Sequence, residues 1–487
     1  MQDRMTNPMP PAATRSLPES PRIVLVNPPY EKPVMRRFTA SYFAPNFLIP
    51  PTDLLYVSAT AKRDLAARTT VIDAIAKRIG PDETIRRIAA TSPDLVFAQL
   101  GFNTIEADVE FCRRVQNQVG VPVVAMGYIA TVYGEELMAH STLDAIVQGE
   151  PELAFCELLR AWQRGEDGAG LAGVIVRTDA GVVAGPAAQP IANFDDLPMP
   201  DHAAVDAADY REVLVGERIA AVFTARGCPY PCTFCVRTHG RRLSKRSVES
   251  VVGEVRYLVE QMGIRNFRIL DDTFNIDEAR ALAIVRGFQQ IASEHGELRW
   301  SALARLDHLN PELAEAMAQS GCRRIYVGVE SGSERMREYY KKQLSVEQIL
   351  TGVRLAKGVG MEVSAFFIVG GPDETREDLR QSIDLAKRLD LDYIIVTRLQ
   401  YWAGTELHRL NAHNLTTGAL PFVTTPKDEA AYRDVLKMER EFYRRFYIRP
   451  GYILPRLGRF LLNPKDLFVS ATRLAKFVST PPQEDFI

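Results

Sequence analysis

The chain of 487 residues is 46% hydrophobic and 25% charged, ordinary proportions for a globular protein, and at about 150 residues per domain it has room for roughly three. That composition excludes collagen and a disordered tail protein, and six cysteines are too few for a disulfide framework. With 59 basic against 61 acidic residues the net charge is −2, so no chain-wide field advertises nucleic acid or membrane, and no apolar run reaches the ~20 residues that span a bilayer.

Residues 1–20 are Pro-rich and lack the apolar stretch of a signal peptide, so a disordered leader on a cytoplasmic protein is expected. Residues 21–165 alternate short β-rich runs with helical stretches. IVLVN (Ile23 to Asn27) is continuously apolar, as a strand buried on both faces should be. DLLYVSATAKRDL has helical spacing, TTVIDA is the next strand, and PDETIRRIAA opens on Pro81 with acidic residues, a good helix start. DLVFAQL, VPVVAMG and DAIVQG are three further strands, with a helix from Thr104 to Asn117 between the first two. Strands separated by helices imply right-handed crossovers and a parallel, doubly wound, Rossmann-like sheet. Ligands bind such sheets at the carboxyl ends of the strands, here Asn27, Asp73, Gly101, Gly127 and Gly149.

Residues 166–215 are less regular and read as a connector with a small hairpin around GVIVRTDAGVVAG. Alternation resumes over 216–405. The strands are IAAVFTA, FRILD, LRWSALA, RIYVGVE, EVSAFFIV and YIIVTRLQ, with helices between them, which suits a partial (βα)6 barrel; an open sheet is the alternative. In a barrel, chemistry gathers at the C-terminal strand ends. Those ends carry a three-cysteine loop, Asp271-Asp272, Arg305, Glu330-Ser331-Gly332, Gly370-Gly371-Pro372 and Tyr401. Residues 406–487 look helical, and from Tyr432 to Phe477 eleven basic residues face four acidic ones, interleaved with aromatics and leucines. An amphipathic cap on the barrel explains them, as does a patch for an anionic substrate or weak contact with a membrane surface.

Cys112, Cys156 and Cys322 are scattered in apolar or helical surroundings, as buried small hydrophobes are. Cys228, Cys232 and Cys235 fall within eight residues as C-x3-C-x2-C. Clustered thiolates are soft ligands suited to zinc or to an iron–sulfur centre. His239 could complete a C-x3-C-x2-C-x3-H zinc knuckle, which would make the chain a non-enzymatic zinc-binding module. A four-iron cube held by three cysteines instead leaves one iron open for a chelating substrate.

Cys228-x3-Cys232-x-Phe234-Cys235 resembles the cluster loop of the radical S-adenosylmethionine (SAM) enzymes. Gly328-Val-Glu-Ser-Gly332 is similar to that superfamily's ribose-contacting segment. Phe366-Phe-Ile-Val-Gly-Gly-Pro-Asp-Glu-Thr375 resembles its GxIxGxPGET stretch, with Phe366 and Asp373 where Gly is usual, and Ala403-Gly-Thr-x-Leu407 resembles its PGTxL signature. The resemblance implies a [4Fe-4S] cluster on the three cysteines that chelates SAM and, given one electron, splits it to a 5′-deoxyadenosyl radical. A low-potential donor of flavodoxin or ferredoxin type is implied with it. Phe234 would lie near the adenine, Glu330 and Ser331 on the ribose, and Gly370 and Gly371 where backbone approaches the cofactor. Arg305 would pair with the SAM carboxylate or form a structural ion pair, and Asp271 or Asp272 would face SAM or substrate.

The doubly wound domain before the barrel resembles the cobalamin-binding class of this superfamily, with Asp73, Gly101, Gly127 and Gly149 at its ligand-binding ends. Many cobalamin domains carry DxHxxG, whose His ligates cobalt; here Asp73-Ala-Ile75-Ala-Lys-Arg78 has Ile in place of that His and Arg in place of the Gly. Cobalamin would therefore be bound without an imidazole. The class implies methylation of an unactivated carbon, or of phosphorus, in a small-molecule intermediate; the basic, aromatic C-terminal region favours an anionic or lipid-like one. A radical oxidoreductase or cyclase on the same architecture is the rival. Methylthiotransfer to tRNA would need three more cluster cysteines in the N-terminal domain, where only Cys112 and Cys156 occur. No nucleic acid partner is expected.

Overall fold

The computed structural model describes residues 16–37, 40–43, 48–212, 217–236, 239–417, 424–426 and 429–454. The chain divides into two compact units, Met1–Glu212 with Arg237–Lys245, and Val213–Val236 with Arg246–Ile487. Most of the leader and the basic residues from Arg456 onward lie outside the described residues.

In the first unit, β1 (Arg22–Asn27), β2 (Arg68–Asp73), β3 (Leu95–Gln99), β4 (Val123–Met126) and β5 (Ala145–Val147) are parallel neighbours in the order β2-β1-β3-β4-β5. β1 is buried from Ile23 onward and β3 throughout, which is why their sequences are continuous apolar runs. Helices α1 (Thr52–Leu65), α2 (Pro81–Ala90), α3 (Ile105–Val119) and α4 (Pro151–Gln163) make four of the connections. α2 starts as its sequence indicates, with Pro81 in the first turn and Asp82 and Glu83 beside the exposed amides. Two short helices, Tyr128–Val132 and Gly134–Ala139, lie between β4 and β5, where the sequence shows no helical period. The hairpin β6 (Val174–Thr178) and β7 (Gly181–Ala184) is present, but it is no free-standing part of a connector. It pairs antiparallel with β5 and completes a seven-stranded sheet. The apolar run of β6 is the reason, with Val174, Ile175 and Val176 buried on both faces of the strand.

The second unit has six parallel strands in sequential order: β8 (Ala220–Val222), β9 (Asn266–Ile269), β10 (Arg299–Ala304), β11 (Cys322–Glu330), β12 (Glu362–Val369) and β13 (Tyr393–Arg398). Helices α5 (Val248–Met262), α6 (Glu278–His295), α7 (Pro311–Gln319), α8 (Val346–Gly358) and α9 (Arg376–Arg388) connect them. This is the partial (βα)6 barrel that the alternation predicts. Along β11, Ile325, Val327 and Val329 are buried, whereas Arg324, Tyr326 and Gly328 on the opposite face are only half-buried. Phe267, Phe288 and Trp300 form an aromatic core between strands and helices, with ring centroids 5.3–6.4 Å apart. Ser345 with Gln348 and Thr375 with Asp378 form capping boxes that start α8 and α9.

An open barrel leaves edge strands whose backbone groups need partners. On β13 tyrosines supply them. In α10 (Glu429–Tyr447), Tyr443 and Tyr447 stand one turn apart. Each phenol accepts from a strand amide (Val396 N–H at 2.9 Å, Ile394 N–H at 3.0 Å) and donates to the same residue's carbonyl. Tyr452 donates to the Asp392 carbonyl at 2.7 Å. Met438, Phe442 and Phe446 are buried along the same helix, as an amphipathic cap over 433–447 requires. Replacing both Tyr443 and Tyr447 with Phe should cost about 1 kcal/mol per lost side-chain partner, and a thermal melt of the double variant should shift down by several degrees. An unchanged melting temperature would show the phenols to be idle.

Candidate active site

The three-cysteine loop leaves the C-terminal end of β8. Cys228, Cys232 and Cys235 all carry thiols, the first half-buried, the second buried and the third exposed. Backbone bonds clip the loop in place: Thr233 N–H donates to the Tyr340 carbonyl at 3.0 Å, and Leu407 N–H donates to the Thr233 carbonyl at 2.9 Å. Phe234 meets Tyr340 edge-on at 5.4 Å. Tyr230, between the first two cysteines, lies under the Arg305 guanidinium, whose carbon is 3.5 Å from the ring centre. Its hydroxyl bonds to His308 Nε2, and His308 Nδ1 stands 3.3 Å from Glu278.

The three thiols form an electrostatic group. Burial raises the Cys232 thiol's pKa, and the Lys342 ammonium opposes that rise. Solvent reaches Cys235, yet desolvation raises its pKa, as for a group on the wall of a hollow; Asp272, Cys232 and Cys228 raise it further. Among the described residues no three or more His, Cys, Asp or Glu side chains gather as ligands of a single metal ion, and these include the three cysteines and His239. A four-iron cube binds each thiolate at a different corner, so its ligands stand further apart than those of one ion, and the donor set fits it.

Around the loop, the structure uses several residues differently from the sequence-based expectation. Asp271 is turned to the protein's own backbone. It is buried, and its two oxygens accept from the Thr224 amide (2.6 Å) and hydroxyl (2.5 Å), bracing the end of β8. Asp272 is the carboxylate that acts on Cys235. Arg305 takes the structural role: Nε and Nη2 each lie 2.9 Å from Asp307, and Nη1 and Nη2 donate to the carbonyls of Lys342 and Gln343. With those partners, four of its five N–H groups are engaged, and its face lies on the Tyr230 ring. Glu330 accepts from Lys342 Nζ at 2.8 Å, and both side chains are buried. Ser331 Oγ accepts from the Ser333 amide and bonds Ser382 Oγ at 3.0 Å, organising the turn after β11.

Gly370 and Gly371 serve the protein's own packing. Their amides both donate to Glu374 Oε2, at 2.6 and 2.9 Å, and a Cβ on Gly371 would stand 2.3 Å from the Tyr340 hydroxyl. Burial raises Glu374 to about pKa 7, against the pull of those two amides. Folded protein then holds this proton up to about pH 7, while unfolded chain releases it from about pH 4.5, so stability falls as pH rises through that window. Glu374→Gln should remove this slope, worth roughly 2 kcal/mol after allowance for solvent screening; urea unfolding at pH 5 and pH 7.5 measures it. A slope equal to the wild type's would contradict the assignment.

Lys342 and His308 are the site residues that the sequence reading missed, and neither carries a motif that would have revealed it. Backbone strain marks the same rim. Glu330, Lys341, Gln343 and Asp373 all have positive φ without being glycine, and Asp373 stands where the family pattern has Gly. Such strain concentrates where surrounding structure over-determines a functional geometry.

At the strand ends of the first unit, Asp73 accepts from Asn27 Nδ2 (2.8 Å), the Ile75 and Ala76 amides (both 3.1 Å) and the Tyr210 hydroxyl (3.0 Å), and burial raises its pKa. Ile75, in the position of the cobalt-ligating His, is buried. Arg78 nevertheless adopts φ +53°, so the turn that the Gly of DxHxxG would make is kept with a side chain in place. Gly127 has φ +140°, and a Cβ there would stand 2.4 Å from the Leu100 carbonyl; Gly149 has φ +66°. Gly101 donates to Asp108, and any side chain there would collide with Thr104. Asp108 is paired with Arg36 at 2.7 Å, both fully buried, beside Asn27 where the strand order reverses between β1 and β3.

Residues 222–386 match the family model described as the radical SAM superfamily. Residues 222–386 are thus a radical SAM domain. The chain is 29% identical over 464 residues to an uncharacterized methyltransferase of Pyrococcus horikoshii, an alignment covering 91% of this chain and 98% of the relative. It is 34% identical over 204 residues to cytidylyl-2-hydroxyethylphosphonate methyltransferase of Streptomyces wedmorensis, covering 40% of this chain and 38% of that one. Among solved structures, the radical SAM methyltransferase TsrM of Kitasatospora setae, with cobalamin and [4Fe-4S] cluster bound, superposes with TM-score 0.67 at 23% identity, covering 88% of this chain and 82% of TsrM. The chain thus shares the fold of TsrM. Among the described residues no helix is long and apolar enough to cross a membrane.

Proposed function

We propose that this chain is a cobalamin-dependent radical SAM methyltransferase acting on a small molecule, at an unactivated carbon or at phosphorus. The observation that carries the reading is the loop of three free thiols within eight residues at the C-terminal rim of a six-stranded barrel. Cys228, Cys232 and Cys235 would hold the [4Fe-4S] cluster, and the strand ends of the first unit would hold cobalamin with no protein ligand to cobalt. Together those groups supply one electron for SAM cleavage and a transferable methyl group. The residues prepare the site for that chemistry: Thr233 and Tyr230 anchor the cluster loop, and Phe234 with Tyr340 gives an aromatic wall suited to adenine. Asp272, just beyond β9, would meet SAM or substrate. The methyltransferase activity named for the Streptomyces wedmorensis relative supports the reaction class. The basic, aromatic C-terminal region supports an anionic or lipid-like substrate, and the low potential of such clusters supports a flavodoxin- or ferredoxin-type donor.

Anaerobic reconstitution with iron, sulfide and hydroxocobalamin, followed by SAM and dithionite, tests the reading. Expected are about four irons per chain, retained corrinoid, and formation of both 5′-deoxyadenosine and S-adenosylhomocysteine. One zinc and no iron would establish the zinc-binding module instead. 5′-Deoxyadenosine without corrinoid or S-adenosylhomocysteine would favour the oxidoreductase or cyclase.

A further inference from the structure

One ion pair on the barrel rim is unexplained by packing. Lys342 and Glu330 are both buried and lie 2.8 Å apart. A buried pair of this kind seldom outperforms two apolar side chains of the same volume, so stability alone is a poor reason to keep it. The backbone is bent to hold it there. Glu330, Lys341 and Gln343 adopt φ of 64°, 49° and 52°, conformations unfavourable to any residue with a Cβ. Gly328 leaves room for the pair, since a Cβ there would stand 2.2 Å from Glu330 Oε1 and 2.5 Å from Lys342 Nζ. The segment carrying Lys342 is fastened to the cysteine loop by the Thr233–Tyr340 backbone bond, and Arg305 Nη1 donates to the Lys342 carbonyl at 3.3 Å. The Lys342 ammonium favours the Cys232 thiolate and the Glu330 carboxylate opposes it.

We infer that the Lys342–Glu330 pair tunes the reduction potential of the cluster held by Cys232. The inference rests on the cluster assignment proposed above. Reduction brings in one electron from an external reductant and makes the cluster one unit more negative; no bond need form or break. A buried cation beside one ligand favours that added charge, and its paired anion tempers the effect, because charges act strongly where water is excluded. Lys342 and Glu330 are thus positioning and tuning groups, acting through Cys232.

EPR-monitored potentiometric titration of the reconstituted full chain tests this. Lys342→Met should shift the potential to more negative values, lowering the reduction equilibrium about tenfold, or 59 mV for one electron. Glu330→Gln should shift it the opposite way, and Lys342→Arg should restay near wild type. Shifts of both variants in one direction, or none in either while each holds its iron, would overturn the inference. If Lys342→Met fails to retain a cluster, the near-isosteric Glu330→Gln decides, and an unchanged potential there overturns it. A wild type without iron, sulfide or an EPR signal would instead overturn the cluster assignment.

Discussion

Cys232→Ala should abolish formation of 5′-deoxyadenosine from SAM. Cys232 is the buried member of the three thiols, at the centre of the loop and next to the Thr233 amide that ties the loop to Tyr340. Removing it leaves two thiolates, both more accessible to solvent, to hold the cube. Even the loss of an outer partner of a metal ligand can cost up to about 100-fold in affinity, and losing the ligand itself should cost more. Iron content after anaerobic reconstitution and 5′-deoxyadenosine yield should fall together. Cys322→Ala is the control: Cys322 is buried at the start of β11, at the opposite end of the strand from Glu330 and the rim, so its variant should keep its iron. A Cys232→Ala protein that still cleaves SAM would refute the cluster assignment.

Asp108→Ala should destabilise the chain by about 3–5 kcal/mol, because it leaves a buried guanidinium without its carboxylate. Arg36 Nε and Nη2 reach Asp108 at 3.2 and 2.7 Å, and the same carboxylate accepts from the Gly101 amide and the Thr104 hydroxyl. The network ties the hairpin strand Val34–Arg37 and α3 to the ends of β1 and β3, where the proposed cobalamin site lies. After the substitution Arg36 still has Thr104, the Asn27 side chain and the Pro28 carbonyl as partners, none of them an anion. Urea denaturation should show the loss as an early transition, accompanied by weakened corrinoid retention. Unfolding coincident with the wild type's would show that the pair adds nothing net.

Much of the fold was legible because burial writes itself into local sequence. Ile23 to Val26 and Leu95 to Ala98 are continuously apolar since both faces of the first sheet are covered, and RIYVGVE alternates because one face of its strand is buried and the other only half-buried. The cysteine loop was legible because its ligands are adjacent in the chain, so spacing alone defines it. The hairpin β6–β7 was also visible, but its docking on β5 was not, since an antiparallel partner leaves no mark on periodicity.

The sequence by itself determined the two βα units, the six barrel strands and the clustered thiols, all of them features carried by neighbours along the chain. Only the tertiary structure decided what the charged rim residues do. Arg305 turned to Asp307, Asp271 to Thr224 and Glu330 to Lys342, while Gly371 made room for Tyr340. A buried charge takes whichever partner the fold brings within hydrogen-bond reach, and leaving it unpaired costs more than any local preference can repay. Residues 47 positions apart, as Thr224 and Asp271 are, meet only when strands align, and no motif records that meeting.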